Sequence, residues 1–192
     1  MAAAILLEDG PAALTMERLA ERAGVSKGLG YVYFRDAEDV ALSLWDREVS
    51  DVYRRVEEAT ADAGSFEAGL RRAVRAYFDV VAERGALLGR LQAHFGGART
   101  GRRSARRVRA FLEFWSRRIR EGLGAPPRTA GTLAAMMLNA ADAASRAWTA
   151  GVVGREEAER LCMAFVTAGL PAALEGGAAP EPPVSATRRG GA

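Results

Sequence analysis

The segment from Thr15 to Phe34, TMERLAERAGVSKGLGYVYF, constrains the fold of this chain more than any other. Thr15 can cap a first helix, because its hydroxyl accepts a hydrogen bond from a free backbone N–H. Gly24 follows that helix, and glycine leaves a helix in the left-handed conformation without strain. Ser26 can cap a second helix that runs to about Tyr33. Two short helices joined by a tight turn are typical of a helix-turn-helix unit, whose second helix enters the DNA major groove.

The same residues resemble the TetR family of bacterial transcriptional repressors. The resemblance rests on the A-G-V-S-K-G core at 23–28, the Y-x-Y-F ending at 31–34 and a helix that restarts after Asp36. It extends over roughly Ala2–Val49, about a quarter of the chain. It implies a helix-turn-helix head followed by a helical body that binds a small-molecule effector and forms a homodimer. A member of this family would bind operator DNA in the cytoplasm and leave it when the effector binds.

The resemblance also implies which residues contact DNA. Lys27, Tyr31 and Tyr33 would bind the phosphate backbone, while Leu29 and Val32 lie where the family usually places base-facing side chains. Apolar side chains there can touch a thymine methyl group but make no bidentate hydrogen bond. The full set of DNA-binding residues that we expect is Thr15, Ser26, Lys27, Gly28, Leu29, Tyr31, Val32 and Tyr33.

Three residues depart from the family pattern. Leu29 stands in place of the usual Thr or Ser, Gly30 in place of a core aliphatic residue, and Ala37 in place of a lysine that commonly binds phosphate. Gly30 is expected to cost about 1 kcal/mol of helix propensity, in addition to lost packing.

The charge of the head also runs against a simple DNA-binding surface. Residues 1–50 hold five basic and nine acidic groups, a net charge of −4, whereas a nucleic-acid surface normally has a basic footprint. The matching segment begins near the middle of the family's first helix, so we expect that helix to be truncated here. An alternative is a helical small-molecule-binding or interaction module whose head has lost DNA binding.

Composition places the whole chain in the all-α class. Alanine and leucine abound, glycine lies mainly at segment boundaries, and no run alternates apolar and polar residues with a period of two. No apolar stretch reaches the roughly 20 residues of a membrane span. The start lacks the basic region and cleavage pattern of a signal peptide. Neither metal-ligand spacing nor a phosphate-binding loop occurs, so we expect no metal and no cofactor. One histidine and one cysteine, Cys162, are too few to suggest an enzyme.

Helical periodicity and glycine positions predict the domain organisation. We expect a DNA-binding domain at 1–48, an effector-binding and dimerisation domain at 49–175 and a disordered tail at 176–192. Asp36 caps a long amphipathic helix that links the head to the body, and Ser65 caps the next helix. Gly85 and Gly89 predict a separate short helix at Ala86–Phe95, and Gly101 predicts a break before a helix at 102–121. Two more helices follow, at about 129–150 and from about Glu156.

The body offers candidate residues for a pocket and for a dimer interface. We expect a pocket between the helices at 66–84, 102–121 and 129–150, although core packing alone would also explain each residue. Small residues on the last two helices permit close helix approach between subunits, and packing within one subunit is the alternative. The pocket residues that we expect are Phe78, Phe111, Trp115, Met137 and Trp148. The interface residues that we expect are Ala140, Ala144, Leu161, Phe165 and Ala168.

A basic run between Arg99 and Arg120 contains nine arginines against one acid, Glu113. A solvated outer helix face explains it most simply. It is also compatible with recognition of an anionic effector such as an acyl-coenzyme A, since arginine pairs well with phosphate, or with auxiliary contacts to DNA or an acidic partner.

Overall fold

The computed structural model describes residues 1–95 and 97–175. That part of the chain folds into eight α-helices and one 3₁₀ turn, with no β-strand, so the all-α prediction is confirmed. The α-helices are α1 (Ala2–Glu8), α2 (Met16–Ala23), α3 (Lys27–Tyr33), α4 (Ala37–Thr60), α5 (Phe66–Phe95), α6 (Gly97–Leu123), α7 (Pro127–Thr149) and α8 (Arg155–Glu175), and the 3₁₀ turn is Pro11–Ala13. The predicted tail at 176–192 lies outside the described residues.

Short-range hydrogen bonds fix the helix ends of the head as the sequence predicts. The hydroxyl of Thr15 accepts from the backbone N of Arg18 at 3.1 Å, and the hydroxyl of Ser26 accepts from the N of Leu29 at 3.3 Å. The carboxylate of Asp36 accepts from the N of Asp39 at 2.8 Å and starts α4. Gly24 ends α2 with φ of 66°, in the left-handed region where a side chain would be strained. These caps orient α3 relative to α2.

The head is closed by residues that belong to the body helix α5. Its buried core joins α1, the segment before α2, α4 and the second half of α5. Arg90 of α5 donates hydrogen bonds to the carbonyl oxygens of Leu6 at 2.6 Å and Leu7 at 2.8 Å, which are free at the end of α1. The head core consists of Ile5, Leu6, Leu14, Ala41, Leu44, Leu87 and Leu91.

The body core lies where α6 crosses α4, α5 and α7. Trp115 and Ile119 of α6 are fully buried there, and Phe111 stacks on Tyr53 of α4 with ring centroids 4.2 Å apart. Helix α7 packs against both α6 and α8. Tyr53 is partly buried, and this burial raises the pKa of its phenol to about 12. None of the helices in the described part is long and apolar enough to cross a bilayer.

Two predicted helix breaks are wrong. Helix α5 runs unbroken through Gly85 and Gly89, and α6 begins at Gly97 and includes Gly101. Glycine inside a helix costs about 1 kcal/mol, but burial of a leucine side chain contributes about 1.5–3 kcal/mol. Leu87 and Leu91 are 4% and 1% exposed within the head core, so packing holds this half of α5 helical. Helix α4 runs from 37 to 60 without a break at 48. The domain boundary at 48 stays a prediction.

Candidate DNA-reading helix and effector cavity

Helix α3 contains no buried residue, which is unusual for a helix inside a folded head. Its apolar side chains face solvent: Val32 is 73% exposed, Tyr33 72% and Tyr31 48%. Leu29 is 44% exposed. Exposed aromatic and aliphatic side chains on one short helix carry no packing role, so this surface is free to contact another molecule.

Met16 of α2 explains how the head tolerates Gly30. A Cβ atom added at Gly30 would lie 3.0 Å from the terminal methyl group of Met16, and Met16 itself is 5% exposed. The flexible methionine side chain therefore occupies the space next to the missing side chain, as methionine does in irregular cores. The expected loss of packing at Gly30 is thus at least partly offset by Met16.

Each of the five basic residues in 1–50 forms an ion pair with an acid. Arg18 lies 3.1 Å from Asp9, and Lys27 pairs with Glu17, ten residues away on α2. A hydrogen bond from Lys27 lowers the pKa of Glu17, and the same bond raises the pKa of Lys27. The ammonium also lies 5.9 Å from the ring centroid of Tyr31. The pairs are Arg18–Asp9, Arg22–Glu8, Lys27–Glu17, Arg35–Asp39 and Arg47–Glu48.

The remaining predicted DNA-binding residues lie at the ends of the two helices. The hydroxyls of Thr15 and Ser26 are engaged as helix caps, and Gly28 has open space around its Cα. The structure therefore brings the predicted residues to α3 and to the N-termini of α2 and α3. Their contact with DNA stays a prediction.

A cavity of about 330 Å³ lies in the body between α4, α5, α6 and α7. Trp45, Val49 and Val52 of α4 form one wall, and Val81 and Leu88 of α5 form another. The α7 side is polar. Its lining residues there are Asn139, Asp142, Ser145, Arg146 and Thr149.

The polar wall is held by its own hydrogen bonds. Arg146 forms an ion pair with Asp142, as their four-residue spacing predicts, and the hydroxyl of Tyr77 lies 3.4 Å from the carboxylate of Asp142. Burial raises the pKa of Tyr77, so its hydroxyl keeps its proton at neutral pH. A pocket is predicted between the helices that are α5, α6 and α7, and the cavity lies there with α4 as a further wall, but its polar lining residues were not predicted. The available signal was the spacing of Asn139, Asp142 and Arg146, which puts three polar groups on one side of an apolar helix.

The structure divides the five predicted pocket residues between two places. Phe111, Trp115 and Met137 surround a separate space of about 30 Å³ in the body core, far smaller than the cavity of about 330 Å³. Phe78 and Trp148 instead stack on each other 5.8 Å apart, beside the buried Cys162 of α8. None of the five lines the larger cavity. The prediction of one pocket shared by all five is therefore wrong, because α5 turns Phe78 toward α8. Their contact with a ligand stays a prediction.

Helix α8 keeps large apolar side chains on the outside. Phe165 is 60% exposed and Leu161 46%, and Ala168 lies on the exposed surface as well. Ala140 and Ala144 of α7 instead pack partly against the protomer's own core clusters. Exposed Met136, at 52%, adds an apolar residue on α7 that the sequence did not single out.

A helix-turn-helix head joined to a helical body with an internal cavity defines the class of helical, one-component transcriptional regulators. Comparison with known proteins agrees with that class for the head. The family model "Bacterial regulatory proteins, tetR family" matches residues 1–44. The head of this chain is thus similar to the heads of TetR-family proteins. The matched family and the structural relatives are transcriptional regulators and not enzymes.

Two curated relatives match part of the chain. The "Fatty acid metabolism regulator protein" of Bacillus subtilis (strain 168) is 26% identical over 78 residues, covering 41% of this chain and 40% of that protein. The "HTH-type transcriptional activator FasR" of Mycolicibacterium smegmatis is 31% identical over 80 residues, covering 42% and 36%. The match thus spans less than half the length of these relatives.

Solved structures share the fold over most of the chain. The transcriptional regulator FadR from Bacillus subtilis, crystallised with stearoyl-CoA, has a TM-score of 0.70 at 18% identity, covering 88% of this chain and 95% of that one. A TetR-family regulator from Rhodococcus sp. has a TM-score of 0.70 at 19% identity, covering 88% and 94%. Likeness at this identity establishes the fold only.

Proposed function

We propose that this chain is a ligand-responsive repressor that binds operator DNA as a homodimer in the bacterial cytoplasm and is released by a small-molecule effector. The observation that carries the proposal is the surface of α3. Tyr31, Val32 and Tyr33 are displayed to solvent on a helix with no buried residue. Two tyrosine hydroxyls suit phosphate oxygens, and Val32 and Leu29 suit thymine methyl groups.

The cavity is placed to couple ligand binding to the head. Its walls include α4 and α5, and both helices also contribute to the head core through Leu44, Leu87 and Leu91. A ligand that spreads α4 from α5 would reorient the head and change the separation of the two recognition helices. Such a ligand must bind the DNA-free state more tightly, and each tenfold preference corresponds to about 1.4 kcal/mol.

A long-chain acyl thioester is the effector class that the observations favour. The α4 and α5 walls of the cavity are apolar, while α7 supplies a tyrosine-linked carboxylate, an amide and a guanidinium at one side. An acyl chain would lie against the apolar α4 and α5 walls, and the thioester or its polar extension would meet the polar α7 wall. One curated relative is named as a regulator of fatty acid metabolism, and one solved structure with this fold contains stearoyl-CoA, which agrees with this class.

Dimerisation through α8 would supply the second recognition helix. One helix reads only a few base pairs, so two helices must lie about 34 Å apart on one face of the duplex. Leu161 and Phe165 are the exposed apolar residues of α8 that suit a subunit interface. Phe165→Glu should therefore yield a monomer in sedimentation, with operator affinity reduced at least about tenfold, because the paired half-sites are then bound separately.

A fluorescence anisotropy titration with DNA from the gene's own upstream region tests the proposal. The full chain should bind a specific fragment tightly at low salt and lose affinity steeply as salt rises. Tyr33→Ala should weaken binding about tenfold, whereas Tyr53→Phe, a change to a partly buried tyrosine of the body, should leave it unchanged. Stearoyl-CoA should release the DNA. Binding to no fragment at low salt would reject the proposal.

A module that has lost DNA binding is the alternative, and one observation favours it. All five basic side chains of 1–50 are already paired with carboxylates, so DNA would have to compete with an acid for each of them. Retained acyl-CoA binding together with the absence of any specific DNA complex would select this alternative.

A further inference from the structure

One buried donor in the body core has no hydrogen-bond partner. Trp115 is fully buried, and the Nε1 atom of its indole bonds to no acceptor. Within the part of the chain that the structure describes, this is the one buried side-chain N or O atom left unpaired. Burying an N–H without an acceptor costs free energy, so such groups are rare in native proteins and each calls for an explanation. A phenylalanine at 115 would avoid the cost.

Neighbouring rings hold the indole in place. Phe111 and Phe114 meet it edge to face, with ring centroids 6.4 Å and 5.6 Å from that of Trp115. Phe111 is in turn stacked on Tyr53 of α4. The indole cannot rotate toward an acceptor elsewhere in the core without breaking these ring contacts. An acceptor therefore has to be brought to the N–H.

The space beside Trp115 is apolar. It measures about 30 Å³, and Val56 and Met137 are among the side chains around it. Of the described residues that line it, only Trp115 and Tyr77 carry a side-chain N or O atom. The hydroxyl of Tyr77 already donates to the carboxylate of Asp142 at 3.4 Å. A buried water usually makes about three hydrogen bonds. The side chains here offer it one free donor, so the space holds water poorly and suits an apolar molecule that carries one acceptor.

The small space adjoins the larger cavity of about 330 Å³. Tyr77 and Leu138 line both, so these two side chains lie between them. Both are only partly buried, and rotamer changes of side chains that contact a partner are common on binding. A rotation of either side chain would join the two spaces. The indole N–H would then lie at the end of one longer cavity.

We propose that Trp115 recognises an uncharged carbonyl oxygen on the acyl chain of the effector, which makes the effector an oxo-acyl thioester. The chain lies in the larger cavity and carries its ketone past Tyr77, where the oxygen accepts a hydrogen bond from the indole Nε1. None of the described residues around the small space is cationic, so a carboxylate there would be a buried charge without a partner. A hydroxyl would bring a further O–H that needs an acceptor. This inference deepens the proposed function and rests on it for the thioester only.

Isothermal titration of the full chain with stearoyl-CoA and a set of its mono-oxo analogues, with the ketone at different carbons, tests the recognition. At the carbon that reaches Trp115, the ketone should tighten binding about tenfold over stearoyl-CoA. Trp115→Phe should remove that gain, so that both ligands bind alike, because phenylalanine has a ring but no N–H. Trp148→Phe removes an indole that lines neither space and should keep the gain.

The indole hydrogen gives a second measurement, made on the protein with Trp115 in place. The chain has three tryptophans, so Trp45→Phe and Trp148→Phe assign the Nε1–H resonance of Trp115 by elimination in ¹⁵N-labelled protein. That resonance should move downfield when the matching oxo analogue binds, and less with stearoyl-CoA. Cross-relaxation between this hydrogen and a water molecule in the ligand-free protein would overturn the inference, because the donor would already be paired.

The remaining outcomes separate this inference from the proposed function. A ketone that gains nothing at any carbon, or a gain that survives Trp115→Phe, would overturn the recognition even if stearoyl-CoA releases DNA. Nonan-2-one, a ketone without a thioester, covers the case in which no acyl-CoA binds. A downfield shift of the Trp115 resonance with nonan-2-one would then keep the donor site and reject the proposed effector class. No shift with any ketone would reject the site.

Discussion

The two cores of this protein differ in how far each depends on the other. The body core, built around Trp115 and Ile119, is closed by α4, α5, α6, α7 and α8. The head core is closed only with Leu87 and Leu91, which α5 supplies from the body. The body can therefore hold its structure while the head loosens, but the head cannot fold well without the body. A regulator needs this asymmetry, because the part that reads DNA must follow the part that senses.

Trp115→Ala should have the largest effect. The side chain is fully buried in the body core, so its truncation should lower the free energy of unfolding by about 3–5 kcal/mol. Because the head depends on α5, both regions should unfold together in a urea titration followed by circular dichroism. If amides of the head stayed protected from hydrogen exchange after the body had unfolded, the head would not depend on the body.

Leu91→Ala should loosen the head and spare the body. Leu91 is 1% exposed, and the truncation should cost the head core about 2–5 kcal/mol. Hydrogen exchange should show faster exchange in α1 and α4's first turns, while amides around Trp115 keep their protection. Leu174→Ala, at a partly buried body position near the end of α8, is the matched control. If Leu91→Ala lowered protection from hydrogen exchange equally in both cores, the head would not be the more dependent of the two.

Glu17→Gln should raise operator affinity by about two- to fivefold at low salt, because Lys27 no longer has to leave an ion pair to meet a phosphate. The pKa of Glu17 lies below its usual value, so Glu17 stays ionised and mild acidification to pH 6 should not reproduce the gain. Glu21→Gln, on the same helix with the same charge change, is the control. Unchanged affinity of the Glu17 variant would show that this pair does not limit binding.

Cys162 gives the smallest effect and reports on the integrity of the body. Burial raises its thiol pKa from the ordinary value of about 9 to about 11. At pH 8 the native thiolate fraction is then about a hundredfold below that of the unfolded chain, so a thiol reagent should label native protein slowly and urea-unfolded protein fast. The unfolded chain loses the thiol proton near pH 9, whereas the native protein keeps it until about pH 11. The free energy of unfolding should therefore fall as pH rises from about 9 to 11. Fast labelling of native protein would mean that α8 opens readily.

The sequence predicted what local chemistry determines. Thr15, Ser26 and Asp36 cap helices through hydrogen bonds that span three residues. Gly24 adopts the left-handed conformation because glycine has no side chain. The helix breaks predicted at Gly85 and Gly101 were wrong, because helix continuity there depends on packing and not on propensity. The pairing of Arg22 with Glu8 and of Lys27 with Glu17 crosses from one helix to another, so no helical spacing reveals it. The lining residues of the cavity were missed for a similar reason, since its walls come from four helices.

The bonds from Arg90 to the last carbonyls of α1 have one more consequence, for the transplanting of heads between regulators. A fragment that stopped at the end of α4 would leave those carbonyl oxygens without their guanidinium and expose Ile5 and Leu6 to water. The transferable unit of operator recognition is therefore not a continuous stretch of chain. A chimera that borrows this protein's specificity has to carry along the distal turns of α5, some thirty residues further on.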